Sequence, residues 1–131
     1  MKNILLFVAV VSLFSCKTQT KMELDKTLPM VTKYADLENY KKKDIIAVGI
    51  LSEEKFVNGG GKVFDFTELW LKMEGGEKIK LRPIGEHNTK ALVGKKVMVQ
   101  GNLFHGNIDS DDPKQQSRYG YRLDFTKIVG E

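Results

Sequence analysis

From residue 44 onward the apolar side chains recur at every second position, and glycines interrupt the recurrence at intervals. Period two is the mark of half-buried strands, and it excludes a helical bundle as the body of this chain. In residues 44–52, Ile46, Val48 and Ile50 share one face and Gly49 marks a bend or bulge. Asn58-Gly59-Gly60-Gly61 then breaks the alternation. It resumes over residues 64–73, with Leu69, Leu71 and Met73 in one phase and Phe64, Phe66 and Trp70 in the other.

Glu74-Gly75-Gly76 is a tight-turn signal, so residues 77–83 are expected to return antiparallel with Ile79 and Leu81 inward and Lys78, Lys80 and Arg82 outward. Residues 88–94 have a capping residue, Asn88, at the start and Gly94 at the end, which suits one or two helical turns. Residues 95–104 carry Val97 and Val99 in phase with Gly101 as a second bend. After a polar loop, residues 119–129 alternate Tyr121, Leu123 and Phe125 against Arg122, Asp124 and Thr126.

The reading is therefore all-β with a small helical contribution: five strands, with one short helix between the third and fourth. This is the element order of an OB-fold, a Greek-key barrel. Val48-Gly49-Ile50-Leu51 and the run from Gly94 through Gly101 to Leu103 resemble small bacterial OB domains, in which such glycines let coiled strands close the barrel. The resemblance covers about residues 37–129. It implies an architecture and no catalytic residues, since such domains share fold rather than chemistry.

The amino terminus reads separately. A charged Lys2, an apolar stretch over residues 4–14 and a small Ser15 ahead of Cys16 make the three-part layout of a secretory signal. The stretch is about half the ~20 residues a helix needs to span a hydrocarbon core, so cleavage is expected rather than a permanent span. Leu13-Phe14-Ser15-Cys16 resembles the lipobox of bacterial lipoproteins. That resemblance implies that Cys16 is lipidated with palmitate-type acyl chains and becomes the first residue of the mature chain. As the sole cysteine, Cys16 can form no disulfide within the chain, and lipidation accounts for an odd exported thiol.

The resulting division is a signal peptide over residues 1–15, a lipidated cysteine and polar tether over 16–33, and an OB-fold-like domain over 34–131. The expected location is the bacterial envelope, lipid-anchored at the outer membrane and facing the periplasm. A net charge of +4, one unit of it from Lys2, is too small an excess to imply a polyanion partner. No nucleic acid is expected.

In OB-folds, ligands lie across the second and third strands, between two flanking loops. Here that face would show Phe66, Glu68, Trp70 and Lys72 beside Lys78, Lys80 and Arg82. Aromatic plates interleaved with cations suit stacking on a ring together with pairing to an anion. The alternative is that Phe66 and Trp70 cover the barrel wall, beneath Tyr34, Tyr40 or the tether, while the lysines form a solvated face.

Other motifs fail on spacing. Asn58-Gly59-Gly60-Gly61-Lys62 is not a phosphate loop, because Phe56 stands where a glycine is required and Val63 where the magnesium-binding hydroxyl belongs. Asp109, Asp111 and Asp112 gather oxygen ligands, making a weak calcium candidate, but their spacing is not that of an EF-hand. His87 and His105 lack zinc spacing, and Ser52, Ser110 and Ser117 lack the context of an activated nucleophile. Neither enzyme activity nor a cofactor is expected. Three classes remain: an adaptor for another envelope protein, a binder of a glycan or other anionic envelope ligand through Phe66, Trp70, Lys78, Lys80 and Arg82, or a structural envelope-stress protein.

Overall fold

A computed structural model describes residues 23–57, 60–109 and 118–131. The signal segment, Cys16, Asp111 and Asp112 lie outside the described residues. The architecture is all-β: among the described residues six strands, β1 (Met30–Val31), β2 (Asp44–Val57), β3 (Val63–Lys72), β4 (Lys78–Pro83), β5 (Lys96–Asn107) and β6 (Tyr119–Gly130), form one sheet in the order β1-β2-β3-β4-β6-β5. β5 also pairs with β2, so the pairings of β2 to β6 run round a ring.

The length of β2 makes the ring possible. Its first half pairs antiparallel with β5, from Asp44↔Asn102 to Ile50↔Lys96, and its second half with β3, from Ile50↔Lys72 onward. Passing from one partner to the other requires a sharp coil, and Gly49 sits at the crossing. A Cβ there would run into the Lys72 carbonyl oxygen. Gly101 does the same on β5, at the register shift next to Gln100, where its α-carbon packs on the Asp124 and Phe125 backbone. β4 and β6 pair in parallel, Leu81 opposite Leu123.

The β3–β4 hairpin forms where the sequence places it. Gly75 and Gly76 take left-handed φ values of 109° and 86°, and the Met73 amide donates to the Glu77 carbonyl across the turn at 2.9 Å. Leu71, Ile79 and Leu81 point into the ring with Leu51, Val99 and Phe125, while Leu69 is half-buried against them.

Two expectations change, the strand count and the extent of the tether, and the short helix takes 3-10 form. The sheet has a sixth strand: β1 adds in parallel to β2, burying Val31, and the Ile46 amide donates to the Pro29 carbonyl at 2.9 Å. Residues that read as tether thus pack on the domain, whose fold takes in chain ahead of Tyr34. The helix between β4 and β5 is one 3-10 turn, Lys90–Leu92, ended by Gly94 at φ 84°. A further 3-10 segment, Tyr34–Tyr40, buries Leu37 in the core.

Candidate binding surface

Strand alternation carries Phe66, Glu68, Trp70 and Lys72 to the outer side of β3 because Leu71 is held inside. Register then sets the neighbours: Lys80 lies opposite Trp70 and Lys78 opposite Lys72, while the parallel pairing brings Arg122 beside Lys80 and Asp124 beside Arg82. The outer face of β3, β4 and β6 is therefore an array of alternating cations and carboxylates around one indole.

Trp70 is 9% exposed. Lys78, Lys80 and Arg118 lie over its ring at 4.6, 5.7 and 5.5 Å from the centroid. The indole is thus a covered wall element under cations, not an open stacking plate; Tyr34, named as one cover for it, packs edge-on against Tyr121 at 5.5 Å.

The cations are matched by carboxylates. Arg118 makes a two-pronged contact with Glu68, Nη1 to Oε1 at 3.0 Å and Nη2 to Oε2 at 2.7 Å, and its Nε donates to Asp109 at 3.0 Å. Lys80 completes the cluster by contacting the Glu68 Oε2 oxygen that Arg118 Nη2 also holds. Glu68 is only 7% exposed. Burial pushes its carboxyl pKa up, but the hydrogen bonds from Arg118 and Lys80 outweigh that, and the group sits below its ordinary value. Asp109 is held below the usual carboxylate range by its hydrogen bond from Arg118.

A second cluster extends the first. Arg122, 2% exposed, donates from Nε to Asp124 at 2.8 Å and lies over the Phe104 ring at 4.4 Å; Arg82 reaches the other Asp124 oxygen at 2.7 Å. Lys78 donates to Glu54 at 2.8 Å. Lys72 is exposed near the hairpin end.

The remaining aromatic, Phe66, has a different setting. β4 meets β3 from Leu69 onward, and β2 leaves β5 after Ile50, so residues 52–57 and 63–68 continue past the ring as a two-stranded arm whose described ladder contacts are with each other. On the arm Phe66 stacks on Phe56 at 5.2 Å with an 18° interplanar angle, and Phe64 meets both rings, at 5.3 Å from Phe56 and 5.9 Å from Phe66. Arg118 caps Phe56 at 4.7 Å. Phe66 remains 55% exposed on the face it shares with Phe56 and Phe64, and Val63, exposed too, pairs with Val57 at the end of the arm.

The positions singled out in the sequence thus divide. Trp70, Lys78, Lys80 and Arg82 belong to the paired wall, Lys72 lies at its end, and Phe66 belongs to the arm. Sequence reasoning missed Arg118 and Arg122, the residues that tie the wall together, and the partnership of Phe56 with Phe64 and Phe66 across the turn. Three phenylalanines flanking one glycine run was the signal available for the latter. Among the described residues no group of three His, Cys, Asp or Glu side chains could hold a metal ion, and Asp109 is engaged by Arg118. No helix among the described residues is long and apolar enough to cross a membrane. In comparisons with known proteins, no family model, no curated protein and no solved structure matches this chain.

Proposed function

We propose that this chain is a bacterial lipoprotein, lipidated at Cys16 and held at the periplasmic side of the outer membrane, whose domain is an OB-fold acting as a non-catalytic adaptor for another envelope protein. The OB-fold reading is supported by a ring order that runs β2-β3-β4-β6-β5 and back to β2, by the parallel β4–β6 pairing, and by the 3-10 turn between β4 and β5.

The observation that carries the adaptor reading is the exposed Phe66 on the aromatic face it shares with Phe56 and Phe64, built on a ribbon that runs beyond the ring. Two-stranded ribbons are marginal by themselves, and aromatic residues are enriched at the cores of protein interfaces. The glycan or anionic-ligand reading has less support, because Lys78, Lys80, Arg82 and Arg118 already face carboxylates of this chain. An incoming anion would have to displace Glu68 or Asp124.

Two measurements test the proposal. Mass spectrometry of the amino-terminal peptide from membrane-purified protein is expected to find a diacyl or triacyl modification on Cys16. Affinity purification of the tagged chain from detergent-solubilised envelopes is expected to retain a discrete protein with the wild type and to lose it with Phe66→Asp, under conditions where melts show both proteins folded. Equal retention by both proteins would contradict the arm as the recognising surface.

A further inference from the structure

A second surface lies where residues 23–30 cross the outside of the sheet. The Asp25 amide donates to the Gln100 side chain on β5 at 2.6 Å, and the Ile46 amide on β2 donates to the Pro29 carbonyl at 2.9 Å, so this segment is pinned at two points. Between it and the 3-10 turn Lys90–Leu92 runs a groove of about 980 Å³ lined by Leu24, Leu28, Met30, Ile46, Leu92 and Met98. Pockets for small ligands run to roughly 300–1,000 Å³ and orient their occupants with a few convergent polar groups. This groove has the size but is walled mainly by aliphatic and thioether side chains. Its charged residues, Glu23 and Lys26, belong to the crossing segment itself.

We propose that this groove seats one acyl chain of the lipid carried by Cys16, an inference that rests on the lipoprotein reading above. Glu23 lines the groove, and Cys16 stands seven residues before it in the sequence. Seven residues reach at most about 25 Å, so the lipid attachment point is tethered close to the groove. The intervening residues, Lys17-Thr18-Gln19-Thr20-Lys21-Met22, include one apolar side chain. An acyl chain is flexible, unbranched and without polar atoms along its length, which matches walls of leucine, isoleucine and methionine that adapt to shape rather than impose hydrogen bonds. In a bilayer the chain has an equally apolar alternative. The groove matters when the protein is off the membrane, where it would take the chain out of water.

The test uses the full lipidated chain with a diazirine amino acid at Met98, and a second protein labelled at the exposed Met30 in case the first folds poorly. Each is purified from membranes, diluted into detergent-free buffer, irradiated, digested and analysed by mass spectrometry. The expected product joins the labelled position to the acylated Cys16 peptide of the same molecule. Its yield should fall severalfold in detergent micelles. Mixing ¹⁵N-labelled and unlabelled protein identifies crosslinks between molecules. An acylated Cys16 peptide with no crosslink, or with mixed-isotope crosslinks alone, overturns the groove assignment and leaves the lipoprotein reading standing. An amino-terminal peptide without acyl groups overturns both.

Discussion

Arg118 and Glu68, fifty residues apart in sequence, face each other through two parallel hydrogen bonds of 3.0 and 2.7 Å, fastening the residue just ahead of β6 to the middle of β3. Arg118 lies just ahead of the last β5–β6 pair, Asn107↔Tyr119, and Lys80 shares the Glu68 Oε2 oxygen with Arg118 Nη2. Two-pronged arginine–carboxylate contacts fix geometry as well as contribute energy. The consequence is a sheet face stapled across Trp70.

Removing the carboxylate charge should loosen that staple. Glu68→Gln leaves Arg118 and Lys80 beside a neutral amide. Hydrogen bonds to charged groups contribute about 1.5–3 kcal/mol, and the partial exposure of Arg118 places the expected loss toward the lower end, about 1–2 kcal/mol. Urea denaturation at neutral pH measures it; an unchanged midpoint would mean the cluster is energetically idle.

The same cluster sets a pH dependence. Glu68 and Asp109 have folded pKa values below their ordinary 4.5 and 3.8. In that window the unfolded chain binds more protons than the folded one, so stability rises with pH. The contribution is fully present above about pH 4.5 and is lost as pH falls through the depressed folded values. The wild-type urea midpoint should therefore drop between pH 6 and pH 3, and Glu68→Gln should drop less.

Trp70 and Phe66 should separate cleanly. Trp70→Ala removes a covered indole and the ring beneath three cations, with an expected cost of about 3 kcal/mol. Phe66→Ala removes a half-exposed ring whose stacking on Phe56 contributes under about 1.5 kcal/mol. Thermal melts of the two variants decide the point: a near-neutral Trp70→Ala would reinstate the open platform.

Closure of the ring should depend on Gly101. An alanine methyl there would meet the Phe125 α-carbon at 2.6 Å, backbone that cannot swing aside, at the bulge where β5 crosses β6. Overpacking of this kind costs about 1–3 kcal/mol and at times more. Gly101→Ala is expected to lower the urea midpoint strongly, whereas Gly120→Ala, with open space around it, should change it little.

Much of the sheet was legible because alternation and turn chemistry are local. The β3–β4 hairpin, its Gly75-Gly76 turn and the inward phase of Leu71, Ile79 and Leu81 all follow from residues within a few positions of one another. The start of β2 was harder, since Ile45 and Ala47 fill the core while Ile46 and Val48 are also buried on the outer side, so both phases are apolar. β1 escaped notice because two residues carry no periodicity and owe their strand to β2. The wall was least legible. Arg118, Glu68 and Asp109 come together through sheet register, and a polar strand residue such as Arg122 gives no sign in sequence that Asp124 and Phe104 will bury it.

The most direct test of the account sets the arm against the wall. A photo-crosslinking residue is placed at Phe66 in one full-length chain and at Trp70 in another, and both are irradiated in intact cells. A discrete protein adduct from position 66 and none from position 70 is the expected result. An adduct from position 70, protein or glycan, with nothing at position 66 would contradict it, because the face stapled by Arg118 and Glu68 would then be the one that binds.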